Sequence, residues 1–308
     1  MAGIKETAAN LLEYAGIRSE NYFHSPTEPA YDPEDLLAYY LNQSRRADYA
    51  GPFDSGGIPL YVYQGKADYL PVLIGFYALG NLERYRRDKT EPNLQAFLIV
   101  ADWLTSSQQA DGTWRSDFSM PRFGLKPGFP SAMVQGVAIS CLVRGYKLSG
   151  KDLHLEAAVK ALTPFHIDVR DGGVTSHEDG RPFYEEYPMD PPHHVFNGFL
   201  YAMWGLYDLV RLNNNTEAKQ LYDRGLTTFT DWLPRYDTGY WSLYHIGQGA
   251  LNPATIHYQR LHVDQLEVMH RLTGNDLLAE YRDRWQKYLN GRFNALRTLP
   301  AKIRWRLF

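Results

Sequence analysis

Four pairs of helix-like segments recur along the chain at similar intervals, and this repeat restricts the possible folds most strongly. In each segment, apolar residues return with the period of an amphipathic helix. We predict pairs at residues 70–85 with 93–104, 132–148 with 153–162, 195–212 with 217–232, and 257–272 with 276–289. Repetition of one such unit is typical of architectures in which neighbouring units share a continuous core.

Turn residues separate these pairs in a regular way. A turn that contains aspartate and glycine follows each of the first three pairs, at 111–114, 171–174 and 237–241. Residues suited to short strands come next. Four helix–helix–hairpin units close naturally into a ring with the first helices inside. We therefore predict a mainly all-α protein, an (α/α)4 toroid with short β-hairpins. An irregular helical bundle with coincidental spacing is the alternative.

Long connections rich in Pro, Gly and Tyr occur at 50–69, 116–130 and 177–194. Connections of this length without regular structure are commonly functional, so we expect them to border a cleft at one end of the toroid. The toroid itself is assigned to residues 51–295.

The two ends of the chain differ from this repeat. Residues 1–50 are predicted to form two helices packed on the toroid, the second beginning at Pro33. Residues 296–308 alternate basic and aromatic or aliphatic side chains. Such a tail either packs on the domain or contacts an anionic membrane surface.

Net charge, cysteine count and the first residues restrict which ligands and cellular settings are expected. The net charge of -3 provides no general attraction for nucleic acid, so no nucleic-acid partner is expected, and an acidic ligand must be held by local arginines. The single Cys141 excludes an internal disulfide. The first residues lack an apolar leader segment, which favours a cytoplasmic setting, with the tail at the inner membrane face.

Aromatic residues are abundant, with 23 Tyr and 7 Trp. Their rings can stack on sugars while their polar groups bond hydroxyls, although an aromatic-rich core is an equally good explanation.

The densest group of reactive side chains is Tyr184-Glu185-Glu186-Tyr187-Pro188. It combines two carboxylates with two phenols on a segment restricted by proline. Neighbouring residues of an extended segment point in opposite directions, so Glu185 and Glu186 cannot flank one glycosidic bond as a glycosidase pair would.

Two further segments carry candidate groups. Tyr258 and His262 lie four positions apart and should share one face of a helix. Tyr244 lies on the predicted hairpin at 240–245. The histidines show no spacing typical of a metal site, and phosphate-loop and dinucleotide motifs are absent, so we expect neither a metal nor a cofactor.

Ordered motifs over about residues 57 to 291 resemble the D-glucuronyl C5-epimerases of heparan sulfate biosynthesis. The similar segments are 131–146, 184–188, 195–199, 205–209, 233–239 and the pattern Tyr258, His262, Gln265, Leu266. The resemblance implies an (α/α)4 catalytic toroid, with Glu186, Tyr187 and Tyr258 in catalytic positions and Tyr244 at a position that affects activity.

An epimerase of this kind removes the C5 hydrogen of D-glucuronate and returns a proton on the opposite face to form L-iduronate, so two acid/base groups must flank C5. Glu186 and Tyr258 are the expected pair. Arg181 and Arg260 are candidates for binding the substrate carboxylate or lowering the pKa of a phenol. The remaining candidates for substrate binding are Tyr184, Asn197, Gln135, Gln64, His262 and Tyr244. For Tyr244, a platform that only stacks on a sugar ring is the alternative. Two of these residues have structural alternatives: Asn197 could cap a helix, and Gln135 could form a hydrogen bond between helices. For Arg144, a contact between helices is the preferred interpretation.

The expected partner is an acidic polysaccharide, heparosan-like or another uronate polymer, and a homodimer is a further expectation. Two other functions share these features. A polysaccharide lyase would remove the same hydrogen and then expel the group at C4. A non-catalytic toroid would bind the polymer through the same aromatic cleft.

Overall fold

The computed structural model describes residues 29–307 except 64 and 292, and this part of the chain is mainly helical. The eight longer helices are α1 (Pro71–Asp88), α2 (Glu91–Ser107), α3 (Ala132–Ser149), α4 (Asp152–Lys160), α5 (Phe196–Asn213), α6 (Thr216–Trp232), α7 (Ile256–Thr273) and α8 (Asp276–Asn290). They form the four predicted pairs, and each end lies within three residues of its predicted position. The mainly helical class is therefore confirmed.

Three antiparallel hairpins accompany the helices in the described residues. They pair β1 (Tyr61–Tyr63) with β2 (Lys66–Asp68), β3 (Thr175–Glu178) with β4 (Arg181–Tyr184), and β5 (Leu243–His245) with β6 (Asn252–Pro253).

Strands follow the second and third helix pairs, as predicted. The prediction of a strand after the first pair is wrong. That region forms isolated bridges, including one between Ser116 and Phe129, and a 3-10 helix at Pro121–Phe123. The buried Trp114 instead donates its indole N–H to the carbonyl of Leu104 at 2.8 Å, so it anchors the loop to α2.

The first helices pack on one another in sequence: α1 on α3, α3 on α5, and α5 on α7. Each second helix packs on the first helix of its own pair. Side chains from the N-terminal halves of all four first helices line one cavity. A toroid would have this arrangement, and closure of the ring stays a prediction.

A buried ion pair joins two of these inner helices. Arg144 on α3 and Asp208 on α5 are both fully buried, with Nη1 and Oδ2 separated by 2.6 Å. Arg144 also donates to the carbonyl of Ala38 at 2.8 Å, and the Tyr40 hydroxyl donates to Asp208 at 2.8 Å. The preferred prediction for Arg144, a contact between helices, is confirmed.

The segment ahead of the repeats is packed on α3 and α5 but lacks the helix predicted from Pro33. Residues 33–38 form turns and bends, and the regular element that follows is a 3-10 helix, Ser44–Asp48. The side chains of Asp32 and Asp35 accept the backbone N–H groups of Glu34 and Leu37 at 3.0 and 2.8 Å. These Asx turns compete with helical hydrogen bonding. The first predicted helix lies outside the described residues.

Two short helices, α9 (Asn294–Arg297) and α10 (Leu299–Leu307), form the end of the described chain. The buried Lys302 donates to the Asn252 side chain at 2.6 Å and to the Pro253 carbonyl at 2.8 Å, so α10 packs on β6. Packing on the domain was one of the two predictions for this tail, and membrane contact stays untested. Among the described helices, none is long and apolar enough to cross a membrane.

Candidate active site

A cavity of about 180 Å³ opens between the N-terminal halves of the four first helices. It contains a carboxyl group, a guanidinium group and two phenols within an otherwise mostly apolar wall. Its lining residues are Arg46, Leu70, Val72, Leu73, Phe76, Met133, Glu186, Asn197, Tyr201, His257, Tyr258 and Leu261. Three of the predicted site residues, Glu186, Asn197 and Tyr258, are therefore brought together.

The β3–β4 hairpin positions Glu186. Its two-residue turn, Asp179 and Gly180, has φ values of 52° and 72°, as a type I′ turn requires. The register pairs Thr175 with Tyr184, and the segment leaving β4 then reaches the start of α5. The prediction that 177–194 lacks regular structure is wrong, and the Asp-Gly dipeptide was the available signal for a hairpin. The same prediction for 50–69 is also wrong, because that connection contains the β1–β2 hairpin.

Glu185 points into the core, opposite to Glu186. Its carboxylate accepts the Ser176 hydroxyl at 2.5 Å and lies 2.7 Å from Nδ1 of His194. Nε2 of His194 lies 3.0 Å from the Glu178 carboxylate. Although burial opposes protonation, the hydrogen bonds and charges of these two carboxylates raise the pKa of His194. Alternation along an extended chain thus separates a structural carboxylate from one that faces the cavity.

Glu186 is only 8% exposed. Burial, together with the nearby charge of Glu185, raises the pKa of its carboxyl to about 7, while a hydrogen bond from Tyr187 opposes this shift. A Cβ added at Gly198 would lie 2.3 Å from Oε2 of Glu186, so glycine at the start of α5 leaves room for the carboxyl. The Asn197 amide approaches the same oxygen at 3.5 Å, so Asn197 contacts Glu186 rather than capping α5.

Three phenols extend from this carboxyl. Tyr187 hydrogen bonds to Glu186, Tyr244 hydrogen bonds to Tyr187, and the rings of Tyr244 and Tyr258 meet edge to face with centroids 4.7 Å apart. Burial raises the pKa of both Tyr187 and Tyr244 well above 10, so these phenols are neutral donors at physiological pH. Tyr244 is buried in this cluster rather than open to stack on a sugar.

The first turn of α7 fixes Tyr258. The Thr255 hydroxyl caps the helix by accepting the backbone N–H of Tyr258 at 3.3 Å. Since Glu186 follows β4 and Tyr258 belongs to α7, the two candidate acid/base groups come from separate elements and enter one cavity.

Gln135 and Tyr184 lie outside the cavity, contrary to the prediction that they bind substrate. The fully buried Gln135 donates to the carbonyls of Gly112 and Ala161 at 2.8 and 3.1 Å. Tyr184 donates its hydroxyl to the carbonyl of Leu221 at 2.7 Å. Both polar groups satisfy backbone carbonyls in the core, where an unpaired carbonyl would be costly.

His262 is also a core residue. Its Nδ1 lies 2.8 Å from the Ser242 hydroxyl, and its ring packs on Phe196 with centroids 4.2 Å apart. Burial, and secondarily the charge of His257, lowers its pKa well below 6.5. The helical spacing does bring its ring to 6.4 Å from that of Tyr258, but His262 does not line the cavity.

Neither predicted arginine lines the cavity. Arg181 on β4 forms an ion pair with Asp231 on α6, and Arg260 is exposed on α7. Arg260 follows Tyr258 by two positions, which places it on another side of the helix. Gln64 lies outside the described residues.

Sequence reasoning missed Tyr201 and Arg46, which do line the cavity. Tyr201 is four positions after Asn197, so the shared helical face was a usable signal. No local pattern marks Arg46, because packing of the 3-10 helix on α1 brings it there.

Residues 108–287 match the family model described as the D-glucuronyl C5-epimerase C-terminus. The chain belongs to the D-glucuronyl C5-epimerase family. It is 35% identical over 241 residues to the D-glucuronyl C5-epimerase of Caenorhabditis elegans, an alignment that covers 72% of this chain and 39% of the relative. The chain thus spans about two fifths of the length of that relative.

A second relative of this chain is an uncharacterized protein of Methanocaldococcus jannaschii. It is 24% identical over 295 residues, covering 86% of this chain and 92% of that protein. Within this chain, the family match includes Glu186, Tyr187, Tyr244 and Tyr258, whereas Arg46 lies ahead of it.

The raised pKa of Glu186 predicts a pH-dependent stability difference. Its usual value is 4.5 and its value in the folded protein is about 7. The favourable contribution of the neutral carboxyl is complete below about pH 4.5 and is lost as the pH rises through 7. We therefore expect Glu186→Gln, which cannot ionise, to gain stability relative to the wild type between pH 5 and pH 8, by up to roughly 3 kcal/mol.

Urea unfolding of both proteins at the two pH values measures this difference. Glu91→Gln, at an exposed carboxyl in the first turn of α2, is the control and should show little change. A Glu186→Gln difference from the wild type that is independent of pH would contradict the assigned burial of this carboxyl.

Proposed function

We propose that this protein inverts C5 of D-glucuronate units within a polysaccharide to form L-iduronate. The observation that carries the proposal is that Glu186 and Tyr258, from separate elements, line one cavity in a chain of the C5-epimerase family. Family membership supports uronate epimerisation in general. The heparosan-like polymer and the roles of these two residues are our inference.

The chemistry requires removal of a weakly acidic hydrogen. H5 lies α to the uronate carboxylate, so its departure places negative charge on an enediolate-like intermediate that must be stabilised. A general base works best when its pKa lies near the operating pH. With a pKa of about 7, Glu186 is present both as carboxylate and as carboxylic acid near neutral pH, so it can take a proton in one direction and supply one in the other.

Inversion also requires an acid/base group on the second face of C5. Tyr258 supplies a phenol there in this proposal, and the neighbouring phenols give it support. Tyr244 touches the Tyr258 ring and hydrogen bonds to Tyr187, which in turn hydrogen bonds to Glu186. These neighbouring phenols therefore hold Glu186 by a hydrogen bond and the Tyr258 ring by packing, which keeps both candidate acid/base groups in position.

Deuterium incorporation tests the proposal. The protein is incubated in heavy water with heparosan and, separately, with other glucuronate polymers, and the products are analysed by NMR. We expect deuterium at C5 and new iduronate signals with no change in chain length, and we expect Glu186→Gln to abolish both.

Each alternative gives a different result. A lyase would shorten the polymer and form an unsaturated uronate that absorbs ultraviolet light. A binding toroid would retain the polymer without any C5 exchange. Absence of deuterium from every glucuronate polymer would end the epimerase proposal.

A further inference from the structure

The segment that carries Glu186 is closed into a loop by a buried pair of side chains. It leaves β4 at Glu185 and returns at His194, shortly before α5 begins. Nδ1 of His194 lies 2.7 Å from the Glu185 carboxylate, and the two side chains are only 1% and 0% exposed. Glu186 and Tyr187, two of the candidate catalytic residues, therefore belong to a loop whose ends are joined through their side chains.

Backbone hydrogen bonds also fix both ends of this loop. The Glu185 N–H donates to the Val174 carbonyl at 2.7 Å, and the Glu185 carbonyl accepts the Ala132 N–H at 2.9 Å. The His194 carbonyl accepts the hydroxyl of Tyr236 at 2.8 Å, and burial keeps that phenol neutral by raising its pKa well above 10. His194 has a φ of 22°, a left-handed conformation that persists only where surrounding contacts determine it.

Two carboxylates determine the charge of the His194 ring. Nε2 lies 3.0 Å from the Glu178 carboxylate, while Nδ1 faces Glu185. An ionised carboxylate only accepts hydrogen bonds, so both ring nitrogens carry hydrogen and the ring is positively charged. Glu178 is also paired with Arg235 at 2.8 Å, which leaves Glu185 as the buried counter-charge of the ring. Burial lowers the pKa of the neighbouring His193, so that ring adds no charge near neutral pH.

We propose that His194 is a positioning residue for Glu186: its charged ring holds the loop closed and balances the negative charge of Glu185 beside Glu186. His194 does not line the cavity, so it acts through the loop and not on the substrate. The balance matters because a negative charge next to a carboxyl opposes its ionisation, and a positive charge favours it. The effect on exchange rests on the proposed function, whereas the effect on the ionisation of Glu186 can be measured without turnover.

Three variants separate the charge of the pair from the position of the loop. His194→Gln removes the positive charge, Glu185→Gln removes the negative charge, and the double variant removes both. His154→Gln is the matched control, because His154 is another buried histidine next to a carboxylate, that of Asp102 at 2.9 Å, and does not line the cavity. NMR of ¹³C-labelled carboxyl groups follows the titration of Glu186, whose signal is assigned by its absence from Glu186→Gln. Deuterium incorporation into a heparosan oligosaccharide gives kcat and KM against pH.

We expect the titration midpoint of Glu186, about 7 in the wild type, to rise by about 1 pH unit in His194→Gln, because the charge of Glu185 is then unbalanced. It should fall by a similar amount in Glu185→Gln and return towards the wild-type value in the double variant. The pH at which exchange sets in should move in the same directions, because Glu186 takes up H5 as a carboxylate.

The position of the loop is tested by the turnover number. We expect kcat at the optimal pH to fall about 10- to 100-fold in His194→Gln and in the double variant, because the displaced Glu186 no longer meets H5 correctly. KM should stay close to the wild-type value, since His194 does not line the cavity. His154→Gln should keep the wild-type titration, kcat and KM.

The results separate this proposal from the epimerase function. Midpoints that shift in the same direction in both single variants, or in neither, would overturn the role of His194. If circular dichroism shows that a single variant does not fold, the double variant decides, because it contains no unpaired charge from this pair, and a wild-type kcat there would overturn the proposal. If the midpoints shift in opposite directions but the wild type exchanges no hydrogen, the role of His194 stands and the epimerase function fails.

Discussion

Tyr258→Phe is expected to lower the rate of C5 deuterium incorporation by about 10²- to 10⁴-fold, the usual contribution of a positioned acid/base group. The change removes one hydroxyl from a ring that lines the cavity and packs on Tyr244. The ring itself and the Thr255 cap of α7 remain, so the fold should be retained. Circular dichroism and urea unfolding check the fold, and NMR measures the exchange.

Tyr184→Phe is the matched control for this prediction. Tyr184 also carries a buried ring, but its hydroxyl donates to the Leu221 carbonyl and lies outside the cavity. Its loss should cost about 1 kcal/mol of unfolding free energy and leave the exchange rate unchanged. Wild-type exchange in Tyr258→Phe, or equal losses in both variants, would remove Tyr258 from the mechanism.

Arg144→Met is expected to destabilise the protein by about 3–5 kcal/mol, because it leaves the carboxylate of Asp208 buried without its charged partner. Both side chains of this pair are fully buried between α3 and α5. The same change removes the hydrogen bond to the Ala38 carbonyl, so the segment ahead of the repeats also loses an anchor. Urea unfolding at neutral pH gives the difference in free energy.

Two further variants show whether the cost comes from the unpaired charge. Arg144→Met combined with Asp208→Leu removes both charges and should regain much of the loss, since apolar replacements of a buried pair are often well tolerated. Arg181→Met breaks the exposed pair with Asp231 and should cost less than about 1 kcal/mol. A similar loss in Arg144→Met and Arg181→Met would contradict the importance assigned to burial.

Much of the fold was predictable because the sequence patterns that specify helices and turns act over a few neighbouring residues. The period of apolar residues located all four helix pairs, and the turn residues located the hairpins that follow the second and third pairs. The helix predicted from Pro33 is absent because local side-chain hydrogen bonds compete there with helical hydrogen bonds. At Asp32 and Asp35, side chains accept backbone N–H groups and form turns where a helix was expected.

The candidate site was predictable only in part. Alternation along an extended chain correctly separated Glu186, which faces the cavity, from Glu185, which faces His194 in the core. Helical spacing placed His262 near Tyr258, yet it could not show that Ser242 and Phe196 enclose the His262 ring. Spacing gives the direction of a side chain relative to its own element, whereas the identity of its neighbours depends on other elements.

The sequence by itself determined the four helix pairs, the opposite directions of the two adjacent glutamates, and the family to which the chain belongs. Only the tertiary structure decided that Gln135 and Tyr184 satisfy backbone carbonyls and that Arg46 reaches the cavity. The physical reason is distance along the chain. Periodicity acts over a few residues. Packing of the 3-10 helix on α1 brings Arg46 into the cavity that Glu186 and Tyr258 also line, and no local pattern encodes that arrangement.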